Sequence, residues 1–166
     1  QVVPLVSAHQ AYYGKDLDGK RNVTRGLLTT GFDVSTRLRR LYPVETNFWG
    51  LELSGLRHIL EPGVKYRYTP EPTRLSSDLP AFDEIDALSE TNRLTFSLDN
   101  KFQTRRLFGE GEAARKGVVD FVDFVLKSNY DFKKEWDGKF VDVVGNLEFR
   151  PSPFWGLMME STYGIE

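Results

Sequence analysis

From Asn92 to Leu107 the chain sets Leu94, Phe96, Leu98 and Phe102 on one parity and Thr95, Ser97, Asp99, Lys101, Gln103 and Arg105 on the other. Successive side chains of an extended strand point to opposite sides, so this stretch reads as a strand with one apolar and one charged face. The alternation returns in Leu56 to Pro70, where Leu60, Pro62, Val64, Tyr66, Tyr68 and Pro70 oppose Glu61, Gly63, Lys65, Arg67 and Thr69. It returns again with Phe32, Val34 and Leu38 against Asp33, Ser35, Arg37 and Arg39, and with Val141, Val143, Leu147 and Phe149 against Asp142, Asn146, Glu148 and Arg150. Between Val118 and Phe132 the rule is weaker, because Val119, Phe121 and Val125 fall among the polar positions. A chain made of such segments is confined to sheet architectures.

Period-two reading gives about seven long strand candidates: Val2 to Tyr13, Gly26 to Tyr42, Leu56 to Pro70, Asn92 to Leu107, Val118 to Phe132, Phe140 to Pro151 and Phe154 to Ile165. No segment sustains apolar residues at i, i+3, i+4 and i+7, so no helix is predicted. Asp-Gly in "GKDLDGKRN" and "KKEWDGK", and the prolines of "RPSPF", predict tight antiparallel reversals and hence a meander. The connection "EPTRLSSDLPAFDEIDALSET" is the exception, long enough to ask for a function of its own. Alternating reversals put it on one rim with "KKEWDGK", and "FGEGEAARKG" on the other with "RPSPF".

Two architectures can use these faces. A soluble sandwich would seal the apolar parity beneath a second sheet, but its strands run to about 5 to 6 residues with a turn every 8 to 12. A transmembrane barrel needs roughly 9 to 11 tilted residues per strand, with apolar residues toward lipid and a polar lumen. Every candidate reaches that length. Aromatic residues form 13% of the chain, and Tyr42, Trp49, Tyr68, Tyr130, Trp136 and Trp155 fall near strand ends, where rings favour headgroup depth. The reading is an all-β, antiparallel up-and-down meander of about seven long strands belonging to a transmembrane β-barrel, with residues 1–166 a single fragment lacking an internal boundary. The start at Gln1 and the stop at "STYGIE", inside a strand, are read as the edges of an excerpt. Pro62 removes a ladder donor and predicts a bulge or bend, or else a weakened seam.

"LRHILEPGVKYRYTP", followed by "LPAFDEIDALSETNRLTFSLDNKFQTR", resembles the LptD family of lipopolysaccharide-assembly proteins. The family pattern falls on Leu60, Glu61, Pro62, Val64, Tyr66, Tyr68 and Pro70, then Pro80, Phe82 and Asp83 of an acidic loop, then Asn92 and Arg93 at a strand start. "LEFRPSPFW" from Leu147 is similar more weakly. The resemblance implies a piece of a large barrel in the bacterial outer membrane, part of a non-catalytic translocon that assembles lipopolysaccharide at the cell surface. It also implies a plug lipoprotein of the LptE type, a periplasmic bridge that delivers lipopolysaccharide, and surrounding membrane lipid as partners. The cysteines that many members use for interdomain disulfides are absent from this stretch. The alternatives are another outer-membrane barrel, such as a porin or receptor, and a soluble β-rich binding module.

The charged parity supplies candidates for a lumen or transport path: Arg37, Arg39, Glu61, Lys65, Arg67, Asp99, Lys101 and Arg105. Guanidinium groups there suit either lumen salt bridges or phosphate. No catalytic, cofactor or metal residue is assigned. Asp83, Glu84 and Asp86 lack the Gly and terminal Glu of a calcium loop, and His9 and His58 lie on different strands. No phosphate-binding loop, nucleophile elbow or dinucleotide fingerprint occurs, and a net charge of −2 gives no field for nucleic acid.

Overall fold

The computed structural model describes residues 1–47, 53–80, 89–108, 115–132, 139–152 and 154–165. Its strands are β1 (Val2–Lys15), β2 (Arg21–Ser35), β3 (Leu38–Thr46), β4 (Leu53–Thr69), β5 (Thr91–Phe108), β6 (Arg115–Asp131), β7 (Lys139–Phe149) and β8 (Leu157–Gly164). All eight belong to one sheet, in the order β1-β2-β4-β5-β6-β7-β8, with β3 also on β4. The meander is therefore as expected, and β1–β2, β3–β4 and β7–β8 pair antiparallel.

The first reversal follows its residues. Asp16 caps the turn, its carboxylate accepting from the Lys20 amide at 2.7 Å while its carbonyl accepts from Gly19 at 3.2 Å. Gly19 takes φ of 89°, the left-handed conformation that Asp-Gly hairpins need. The register then runs from Lys15↔Arg21 to Val2↔Val34.

The candidate Gly26 to Tyr42 proves to be two strands, and Pro62 explains the split. Thr36 donates its amide to the Pro62 carbonyl at 3.2 Å, and two residues on Leu38 pairs with Leu60. A regular antiparallel pair would return a second bond from residue 62 to the Thr36 carbonyl, but proline has no N–H to give. The ladder lapses at Thr36 and Arg37 and resumes as β3.

The last candidate is also corrected. β8 begins at Leu157, not Phe154, because the Arg106 guanidinium holds the carbonyls of Arg150 and Pro151 and Phe149 is the last β7 residue to pair. Trp155 thus lies in the reversal.

The chain divides into two compact units, residues 1–34, 64–95 and 130–140 in one, and 35–63, 96–129 and 141–166 in the other.

Among the described residues only Tyr13, Val23, Leu27 and Leu79 are buried hydrophobics. That small core belongs to the first unit. Residues 70–80 run back along β2, with Thr73 and Gly26 exchanging two bonds and the Arg25 guanidinium donating to the Arg74 carbonyl. Leu79 ends this strap by packing on Tyr13 and Val23.

Candidate functional site

The charged face is built mainly from odd-numbered residues of β2, β4, β5 and β6, with Arg37 between β2 and β3. In the first unit Arg67 is its centre. Its Nη1 lies 2.5 Å from Asp33 Oδ1 and donates to the carbonyls of Tyr66 at 2.8 Å and Phe32 at 3.3 Å. Gly31 makes this possible, since a Cβ there would stand 2.1 Å from the Tyr66 carbonyl oxygen and 3.2 Å from the Arg67 side chain. Lys65 adds a longer approach to Asp33, 3.9 Å. Arg93 pairs at 3.0 Å with Asp131, whose side chain is only 8% exposed.

In the second unit Arg37 bonds Glu61 at 2.6 Å. Lys101 meets Asp123 at 2.9 Å and Asp120 at 3.4 Å. Residues three apart in a regular strand face opposite ways, so alternation slips once between these two aspartates. The slip accounts for Phe121, an apolar residue at a nominally polar position: its ring packs at 5.4 Å on Phe149. Arg37, Glu61, Asp99, Lys101 and Asp123, with Ile59, Gln103 and Val125, line an open hollow of about 480 Å³. Arg39 is exposed, pairs with Ile59 across the ladder, and makes no ion pair among the described residues. Arg105 lies apart, in a smaller hollow with Arg57.

The other face carries rings. In the first unit Phe32, Tyr66, Phe132, Tyr130 and Phe140 form a chain with successive centroid distances of 5.6, 6.4, 4.8 and 5.1 Å. In the second unit Phe121, Phe149 and Trp155 make a shorter series. Tyr68, Phe32, Phe132 and Phe140 are exposed, and Leu60, Val64 and Tyr66 are half-buried, the described strands forming a single sheet. His58 sits on this face, stacked at 4.3 Å on Phe102 and bonded to Asn100 at 2.9 Å, while His9 bonds Ser7 at 3.0 Å.

The motif positions Leu60, Glu61, Pro62, Val64, Tyr66 and Tyr68 all lie in β4, with Pro70 just beyond it and Pro80 next to Leu79. Asn92 and Arg93 open β5 and join it to both neighbours. Tyr66 donates to the Asn92 side chain at 3.0 Å, Phe132 donates its amide to the Asn92 carbonyl at 2.8 Å, and Arg93 reaches Asp131. Phe82, Asp83, Glu84, Asp86, Trp49 and Trp136 lie outside the described residues.

Sequence reading passed over Arg57, Gln103 and Asp120 as site residues. Arg57 Nε donates to Gln103 Oε1 at 2.7 Å, and Gln103 Nε2 donates to Asp120 Oδ1 at 2.6 Å. Arg57 was readable, because it shares the parity of Glu61 and Lys65 four residues upstream of Glu61.

No curated protein and no solved structure gives a match to the chain. The family model described as LPS transport system D matches residues 1–116, which take in β1 to β5, the motif-bearing β4 and the Asn92–Arg93 strand start. With that match lying on a two-faced sheet, the chain belongs to the LptD family of outer-membrane lipopolysaccharide-transport proteins.

Proposed function

We propose that residues 1–166 are part of one outer-membrane barrel domain that acts as a non-catalytic translocon, assembling lipopolysaccharide at the cell surface. The apolar parity faces hydrocarbon, and the charged parity, with Arg37, Arg39, Glu61, Lys65, Arg67, Asp99, Lys101 and Arg105, faces a hydrated lumen. Lipopolysaccharide is amphipathic, so its acyl chains leave sideways into lipid while the sugar moves along the charged face. A plug lipoprotein of the LptE type and a periplasmic delivery bridge complete the machine, and the energy comes from outside this chain.

The observation that carries this reading is that the described strands form a single sheet, with exposed rings at Phe32, Tyr68, Phe132 and Phe140 in its apolar row and ion pairs lacing its opposite row. Such a sheet is stable only where the apolar row meets lipid and the backbone ladder closes on itself. Photo-crosslinkers at positions 65 and 101 of the intact protein are expected to label lipopolysaccharide, and one at position 60 to label bulk phospholipid. Lipopolysaccharide at neither 65 nor 101 removes the path assignment.

A further inference from the structure

Most cations on the charged face are neutralised by a carboxylate on a neighbouring strand, as Arg67 is by Asp33, Arg93 by Asp131, Arg37 by Glu61 and Lys101 by Asp120 and Asp123. Arg57 and Arg105 are different. Among the described residues neither has an ion-pair partner, a trait shared with Arg39, but these two line one hollow of about 160 Å³ together and no carboxylate lines it.

The backbone makes that hollow. The β3–β4 register slips between Tyr42 and Glu45, opposite Gly55, which takes φ of 75° and whose missing Cβ would have met nothing within 4 Å. Bulges of this kind re-aim side chains and open space beside a strand. The space would hold on the order of ten waters, enough for a tetrahedral oxyanion with part of its hydration. Its edges are apolar, with Leu41 70% and Val118 56% exposed.

One of the two guanidinium groups is also held in place. The Gln103 amide accepts from Arg57 Nε and donates to Asp120, which fixes the amide's orientation and leaves both terminal nitrogens of Arg57 for a ligand. A planar guanidinium so anchored is suited to two parallel bonds to phosphate. Two cations with no carboxylate between them, beside apolar walls, match an anionic group attached to something greasy.

We propose that the Arg57–Arg105 hollow binds a phosphomonoester carried on the headgroup of an amphipathic glycolipid, with Gln103 as the positioning residue. The proposal rests on the transport role argued above and adds to it a defined stop for the cargo's phosphate.

The test uses the full-length protein with its native partners in detergent micelles. The probes are lipopolysaccharide, the same lipid after enzymatic dephosphorylation, and inorganic phosphate. R57Q/R105Q is expected to lose about tenfold in affinity for the phosphorylated lipid and nothing for the dephosphorylated one, with R57K/R105K in between. Inorganic phosphate should compete only in large excess. Equal affinity of wild type and R57Q/R105Q for the phosphorylated lipid overturns the site, as does an equal loss toward both lipids. Inorganic phosphate binding as tightly as the lipid overturns the headgroup assignment. Should R57Q/R105Q fail to assemble, a photo-crosslinker at position 41 of the wild-type arginine background decides: headgroup label supports the site, and its absence removes it. Unchanged binding in R57Q/R105Q with lipopolysaccharide still labelled at positions 65 and 101 sinks only this hollow; no label at those positions sinks the transport path as well.

Discussion

Arg67 in the first unit and Arg57 in the second stand on the same parity of the same strand, yet their surroundings differ in kind. Arg67 folds over a glycine and meets a carboxylate directly, so its charge is cancelled within its own cluster. Arg57 is gripped by a neutral amide that aims it without cancelling it. Residue type and strand parity are thus identical, and the neighbouring strand alone decides whether a cation is cement or a binding group.

Each cluster depends on one glycine, for opposite reasons. Gly31 must lack a Cβ because backbone oxygen already fills the place, so Gly31→Ala is expected to cost about 3 kcal/mol through overpacking and to displace Arg67. Gly55 has open space around it and is needed for its φ, so Gly55→Ala should cost about 1 kcal/mol of left-handed strain. Denaturant titration of the barrel in micelles, read by heat-modifiable gel migration, measures both. If Gly55→Ala is the more damaging of the two, the distinction between close approach and backbone conformation is wrong.

Alternation reads out any feature internal to a strand, which is why β1, β4, β5 and β7 and the two faces could be placed from residues alone. Features that depend on a partner strand were hidden. The break at Thr36 is caused by a proline twenty-six positions away, and nothing near Thr36 announces it. Phe121 looked like a flaw in the polar row until the shared contact of Asp120 and Asp123 with Lys101 showed the slip. The strap was visible only as a long connection, since Leu79 finds Tyr13 and Val23 through the β1–β2 register. Likewise, Arg57 shares its row with Lys65 and Arg67, and only the lining of its hollow separates it from them.

The contrast between the two arginines can be sharpened by moving the neutral environment into the first unit. Asp33→Asn removes the carboxylate that both Arg67 and Lys65 approach. The pair is partly exposed, so stability should fall by less than about 1 kcal/mol. The uncancelled cations should raise the uptake of inorganic phosphate by the micellar protein at least threefold at low salt, measured by equilibrium dialysis. An Asp33→Asn protein with no added uptake would show that cancellation is not what keeps the first unit silent, and that the hollow itself is the decisive feature.

Pro62 gives the smallest effect and the most local one. Pro62→Ala restores an N–H opposite the Thr36 carbonyl, and one backbone bond contributes about 1 kcal/mol. Releasing the proline ring also frees the unfolded chain, which costs roughly 0.4 to 1 kcal/mol. The two nearly cancel, so global stability should hardly move. The ladder should nevertheless close across Thr36 and Arg37, joining β2 to β3. Hydrogen exchange at the amides of residues 36 to 38 should therefore slow severalfold in Pro62→Ala while distant amides keep their rates. Unchanged exchange there would mean that the interruption between β2 and β3 has a cause other than the missing donor. In the proposed lumen the native break leaves Arg37 at the free point of the ladder, where its 2.6 Å bond to Glu61 sets the side chain's direction in place of the backbone.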